Sequence, residues 1–238
     1  MHCLCYAYCS IYSALSLLKR SSSIFCKYFS TSMAAIQNSV HRCTEPFGVI
    51  FMLGGPGSGK GTICPSIASH FNMIHLSAGE LLRKEMNTSN SKLSAEIESY
   101  MKAGTIVPVA VTCSLLYNAM LEGYRSQKCI NYLVDGFPRN EDNKSGWEAS
   151  MSDKAKVLQV VVLDCPDNVC IERCLRRHSG RIDDNEQTLK KRIVQFKTEG
   201  LPVIEYYTQK GLVTHIDGSK SKEEVIDAVK DALDPIIH

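Results

Sequence analysis

The sequence has very little net charge: 27 Lys and Arg stand against 25 Asp and Glu, a formal balance of +2. So small an excess argues against nucleic acid as the main partner. A mean hydropathy of −0.11 with 22% charged residues excludes both a polytopic membrane protein and a disordered chain. No internal repeat and no low-complexity linker follows residue 47. Cys64, Cys113, Cys129, Cys165, Cys170 and Cys174 include no CxxC pair and no paired histidine, which argues against zinc and for a reducing compartment. Cys170 and Cys174 lie four apart, on one face of a predicted helix, and read as packing residues. No Ser/His/Asp or Cys/His arrangement is legible, so nothing points to a covalent intermediate. What is there is a 238-residue chain, enough for one large domain or two small ones around a buried core.

Composition changes near residue 46. Residues 1–46 hold four basic residues (Lys19, Arg20, Lys27, Arg42) and one acid, Glu45, whereas the rest holds 23 basic and 24 acidic residues. An acid-poor, Ser-containing, basic N-terminus fits an organellar presequence. Residues 1–18 carry no Lys, Arg, Asp or Glu, which also fits a short membrane anchor, though a poor one for its Ser and Tyr content. A third reading is an inert extension ahead of a start at Met33. A presequence implies a mitochondrial or other organellar location, and its absence implies cytoplasm and nucleus.

The body, 47–238, alternates apolar runs with helix-length stretches. Gly48–Leu53, Met73–Ser77, Asn131–Asp135, Val157–Asp164 and Leu212–Asp217 read as strands. Leu93–Ala103, Val109–Leu121, Asn168–Arg177, Glu186–Lys197 and Lys222–Leu233 read as helices. That alternation predicts βαβ units: one α/β domain, a three-layer α/β/α arrangement around a five-stranded parallel sheet.

The sharpest signal follows the first strand: Gly54-Gly-Pro-Gly-Ser-Gly-Lys60-Gly-Thr62. A glycine-rich loop between strand and helix points successive backbone N–H groups at phosphate oxygens, and the helix dipole and Lys60 add positive charge. The generic P-loop has Ser or Thr directly after its lysine, whereas here Gly61 intervenes before Thr62. That departure is the form found in nucleoside monophosphate kinases. With His75-Leu-Ser-Ala-Gly-Glu-Leu-Leu-Arg83, Gly104-Thr-Ile-Val-Pro108, Asp135-Gly-Phe-Pro-Arg-Asn-Glu-Asp-Asn143 and Ser179-Gly-Arg-Ile-Asp-Asp-Asn185, residues 47–235 resemble the adenylate-kinase-type nucleoside monophosphate kinases, and among them the UMP-CMP kinase branch.

The resemblance implies a P-loop NTPase-type fold with a helical acceptor-binding insertion at about 77–107 and a short lid at about 177–186. It implies direct, Mg2+-dependent transfer from ATP to UMP, CMP and dCMP by a monomer with no stable membrane association. Two polyanions must meet in such a reaction, and guanidinium groups neutralise and align them with paired donors. Lys60, Arg139, Arg181 and Arg192 are the expected catalytic cations. Gly57, Ser58, Gly59, Lys60, Gly61, Thr62, Arg177 and Lys220 are expected on ATP. The expected acceptor site comprises Arg83, Thr105, Ile106, Val107, Gly136, Phe137, Pro138, Arg139, Asn143, Arg181 and Arg192. Asp135 is expected to hold magnesium through water, and Asp183 and Asp184 to bond across a closed lid.

Pyrimidine preference follows by resemblance from Ala78 and Asn143, where adenylate kinases carry Thr and Gln. An AMP kinase of the same fold is the alternative, and a catalytically inactive nucleotide-binding module is another. The lid tip, Arg177-His-Ser-Gly-Arg181, is two residues shorter than in the usual short-lid members, and Arg176 stands ready to exchange roles with Arg177. Ile63, Ala110 and Pro65 depart from the family pattern without touching a phosphate contact.

Overall fold

The computed structural model describes residues 45–88, 93–176 and 185–237. Their parallel sheet has the order β2-β3-β1-β4-β5. β1 (Phe47–Gly54) is central because it is apolar throughout: Val49, Phe51 and Met52 have no exposed surface. It pairs on one side with β3 (Asn131–Asp135) and on the other with β4 (Ala155–Asp164). The edge strands are β2 (Ile74–Ser77), beside β3, and β5 (Val213–Asp217), beside β4.

Alternation along β1 sends Ile50 and Met52 to one face and Phe51 to the other. On the first face they pack with Ile63, Cys64 and Ile67 of α1 (Lys60–His70) and with Val225, Val229 and Leu233 near the C-terminus. On the second, the Phe51 ring meets Phe137, Trp147 and Tyr207 at centroid distances of 6.0, 5.1 and 6.0 Å, tilted edge to face. Helices α2 (Ala78–Met86) and α3 (Ser94–Ala103) stand between β2 and α4 (Val109–Gln127) with a small core of their own: Leu82, Ile97, Met101 and Val107. Ser77 begins α2 by accepting the Glu80 N–H on its side chain.

The rest of the chain gives α5 (Glu141–Met151), α6 (Asp167–Leu175), α7 (Glu186–Gln195), α8 (Leu201–Gln209) and α9 (Lys222–Ile237). Strand positions follow the sequence expectation closely. Helix ends differ where local chemistry overrides periodicity. α4 runs on to Gln127 and stops at Lys128, whose φ of 57° is left-handed. α7 ends at Gln195 and passes through a π-turn, Phe196–Gly200, into α8, which apolar periodicity alone did not reveal. α5 is polar over much of its length and was also not anticipated; Asn140 caps it by accepting the Asn143 N–H. Among the described residues, no helix is long and apolar enough to cross a membrane.

Candidate active site

Every parallel strand points its C-terminal end at the same edge of the sheet, and the P-loop leaves β1 there. Gly54, Gly57 and Gly59 take φ of 141°, 87° and 103°, values that suit glycine. At Gly57 a Cβ would also stand 2.2 Å from the Cys170 carbonyl oxygen and 2.9 Å from Cys174 Sγ. Cys170 and Cys174, which read as packing residues, are buried, and their helix forms the floor under the loop. α1 opens without a side-chain cap, so the Lys60 and Gly61 N–H groups remain available to an anion, while Thr62 N–H donates to Gly59 O. A Cβ on Gly61 would meet nothing within 4 Å, which leaves room over that first turn.

Lys60 folds back over the loop, donating to Gly54 O at 2.7 Å, Gly55 O at 2.8 Å and Ser58 Oγ at 3.0 Å. Burial lowers its pKa to about 8, against the opposing pull of Asp135. Asp135 ends β3 in register with Ser77 of β2 and Met52 of β1. Burial pushes its carboxyl up. The His75 hydrogen bond, at 2.6 Å, and the charges of Lys60, His75 and Arg139 outweigh that and hold it below the ordinary carboxylate value.

A cleft of about 410 Å³ runs from the P-loop to α2 and α3, and Lys60, Arg83, Asp135, Arg139 and Arg192 all line it. Arg83 comes from α2, Arg139 from the turn after β3 and Arg192 from α7. The first two converge at Gly79, where a Cβ would lie 3.1 Å from Arg83 Nη2 and 3.7 Å from Arg139 Nη2. Arg83 bonds Glu80 at 2.6 Å through Nη2, while its buried Nε has no hydrogen-bond partner. Arg139 is held by Nε donating to Gly136 O at 2.7 Å. A buried guanidinium N–H without an acceptor, beside a second guanidinium, fits a phosphate.

Gly57, Gly59, Gly61, Thr62, Thr105, Val107 and Gly136 share that cleft. Ile106 and Pro138 line a smaller space beside it. Phe137 and Asn143 line a narrow slot with Ala78, Ile106, Val107 and Thr112. Asn143 accepts the Arg139 N–H on Oδ1 at 3.3 Å, which leaves its NH2 as the available donor. Ser58 and Lys220 line a third space on the other side of the P-loop. Arg177, Arg181, Asp183 and Asp184 lie outside the described residues. Arg176 pairs with Glu172 at 2.6 Å and is largely exposed.

Three residues escaped the sequence reading. Arg173 donates to Gly218 O at 2.7 Å and Ser219 O at 3.3 Å, tying α6 to the loop after β5 beside Lys220. Its position one helical turn before Arg177 was the available signal. Thr112 is buried in the Asn143 slot, and His75 is held by Asp135. Neither role has a local signature, although His75 opens the His75–Arg83 motif, because both depend on contacts between distant segments.

Cations brought from separate elements to one cleft beside a P-loop, at the open edge of a parallel sheet, define a P-loop protein that binds phosphate groups. A family model described as adenylate kinase matches residues 52–212. The chain is 48% identical over 186 residues to UMP-CMP kinase 2 of Caenorhabditis elegans, covering 78% of this chain and 96% of that protein. It is 47% identical over 189 residues to the UMP-CMP kinases of Danio rerio and Homo sapiens, with the same coverage. The chain therefore belongs to the adenylate kinase family and is a nucleoside monophosphate kinase.

Proposed function

We propose that this kinase transfers the γ-phosphoryl group of ATP to UMP and CMP, and to dCMP. An oxygen of the acceptor monophosphate attacks the γ-phosphorus, the bond to the β–γ bridging oxygen breaks, and ADP leaves as the nucleoside diphosphate forms. The convergence of Lys60, Arg83, Arg139 and Arg192 on one cleft carries this reading. Arg83 and Arg139 hold the acceptor phosphate, Lys60 and the P-loop amides hold the donor phosphates, and Arg192, which lines the same cleft, meets the transferring group, a role the resemblance also implies for Arg181. Closure of the cleft over both nucleotides excludes water, which would otherwise take the phosphoryl group. Gly57, Ser58, Gly59, Gly61, Thr62, Arg177 and Lys220 complete the donor site, and Thr105, Ile106, Gly136 and Pro138 the acceptor site.

Asp135 is an ionised carboxylate at the cleft floor, a donor that suits Mg2+, which takes few protein oxygens and keeps its waters. When bound, Mg2+ supplies positive charge to the phosphates in transfer. The base is read against the edge formed by Asn143, Thr112 and Val107, with Phe137 and Ala78 beside them. The Asn143 NH2 donates to O4 of uracil or, one ring position along, to N3 of cytosine. The relatives' names support the same acceptors.

ADP formation with ATP and Mg2+, offering UMP, CMP, dCMP, AMP and GMP separately, tests the reading. Turnover with UMP and CMP well above AMP is expected; equal or greater turnover with AMP overturns the base assignment. Residues 1–46 are read as a presequence on their acid-poor composition. A fluorescent reporter fused behind them is expected in an organelle, and diffuse cytosolic signal refutes that.

A further inference from the structure

Beneath the phosphate-binding surface lies a cluster that the transfer reaction uses only in part. Cys64 of α1, His75 of β2 and Asp135 of β3 each offer one ligand atom, and these atoms lie within 4.8 Å of one another. The register explains the meeting. His75 pairs with Leu133 and Ser77 with Asp135, so His75 and Asp135 emerge on one face of the sheet. α1 packs over that face and lowers Cys64 onto it beside Leu133. Cys64 is fully buried, whereas His75 and Asp135 line the cleft, so the cluster is closed toward the core and open toward the nucleotides.

Thiol, imidazole and carboxylate together form a donor set for a thiophilic cation. Mg2+ prefers an all-oxygen octahedron, whereas Zn2+ takes Cys, His and Asp, and accessible zinc sites pair three protein ligands with one open position. With Zn–S of about 2.3 Å and Zn–N or Zn–O of about 2.0 Å, a tetrahedral site has edges of roughly 3.3–3.6 Å. The ligand atoms here need to close by about an ångström, and the 2.6 Å His75–Asp135 contact needs to open by less than that. Sequence spacing argued against zinc because it looks for ligands in short motifs; these three come from positions 64, 75 and 135.

We propose that Cys64, His75 and Asp135 bind a single thiophilic divalent cation such as Zn2+ at the floor of the nucleotide cleft, and that its occupancy shuts off phosphoryl transfer. On binding, the Cys64 S–H bond is replaced by a sulfur–metal bond and the proton leaves to solvent. His75 turns an unprotonated ring nitrogen to the metal, and the Asp135 carboxylate exchanges its hydrogen bond with His75 for the cation. The shut-off rests on the role given to Asp135 in the proposed function; the binding does not.

The test uses the full chain, reduced and metal-free, titrated with Co2+ as a spectroscopic substitute for Zn2+. One equivalent is expected to develop a thiolate-to-cobalt charge-transfer band. Cys64→Ala, Cys64→Ser and His75→Gln are expected to lose it, and Cys170→Ala to keep it, with thermal unfolding confirming that each is folded. A band that persists at the same stoichiometry in both Cys64 variants overturns the site, as does its absence from the unsubstituted protein. In a parallel assay of ADP formation, Zn2+ is expected to inhibit in the presence of excess Mg2+, and Cys64→Ala to require at least about tenfold more of it, or about 1.4 kcal/mol. Equal zinc sensitivity of the two proteins overturns the shut-off. The cobalt titration involves no turnover, so it decides the site independently of the acceptor specificity.

Discussion

Lys60→Met keeps most of the side chain's volume and removes an ammonium group that the fold has desolvated. The folded protein lowers the pKa of this lysine from 10.5 to about 8. At about 1.36 kcal/mol per pH unit, the buried charge costs the free protein roughly 3 kcal/mol. Methionine removes that cost but leaves Gly54 O, Gly55 O and Ser58 Oγ without their donor, which at about 1 kcal/mol for each of the three returns about 3 kcal/mol. The variant is therefore expected to be about as stable as wild type at pH 7 without nucleotide. The folded value lies below the unfolded one, so the penalty is complete below about pH 8. It fades as pH rises toward 10.5 and the folded lysine loses its proton. The variant should accordingly lose roughly 2–3 kcal/mol relative to wild type between pH 7 and about pH 10. Activity falls at pH 7 as well. A cation about 4 Å from phosphate oxygens, in an effective dielectric of about 20, is worth about 4 kcal/mol, or about 10³-fold in rate. Thermal unfolding at the two pH values and ADP formation at pH 7 check both halves. A stability difference between variant and wild type that does not change between the two pH values refutes the reasoning.

The same lowered pKa predicts that kcat/KM for ATP falls as pH rises through about 8, since the free enzyme loses the ammonium that meets the phosphates; a pH–rate profile rising through that range contradicts it. Arg83→Met should raise KM for UMP by roughly 10–100-fold, the worth of a charge-assisted bond, and leave KM for ATP unchanged in steady-state kinetics. Arg173→Met should loosen the Gly218–Ser219 carbonyls and raise KM for ATP by roughly tenfold with KM for UMP unaffected. Gly57→Ala meets a left-handed φ and the Cys170 carbonyl oxygen together, and calorimetry should show about 2–4 kcal/mol lost.

Much of the fold was legible because its strands are continuous apolar runs ended by punctuation. Val157–Asp164 can hardly be anything but a buried strand, and β3 was read to the residue. α5 and α8 were not legible for opposite reasons. Glu141–Met151 shows water many polar residues and keeps only Asn143, Trp147 and Met151 inside. Leu201–Gln209 is joined to α7 by a π-turn, where the periodic pattern breaks as Phe196 packs against Gly200. The P-loop and the arginine motifs were readable because each is a short local pattern tied to phosphate geometry.

By itself the sequence determined a parallel α/β domain, a phosphate loop after its first strand and four cations, Lys60, Arg83, Arg139 and Arg192, that line the cleft. Those features are written locally, in residues a few positions apart, where backbone sterics and side-chain chemistry act directly. Only the tertiary structure decided that β1 lies between β3 and β4. It alone brought Arg83, Arg139 and Arg192 to one cleft, let Arg173 reach across to the loop after β5, and set Cys64 over His75 and Asp135. Those contacts join segments tens of residues apart, and they come from strand register and from helices covering both faces of the sheet. Only burying the two faces together makes them favourable.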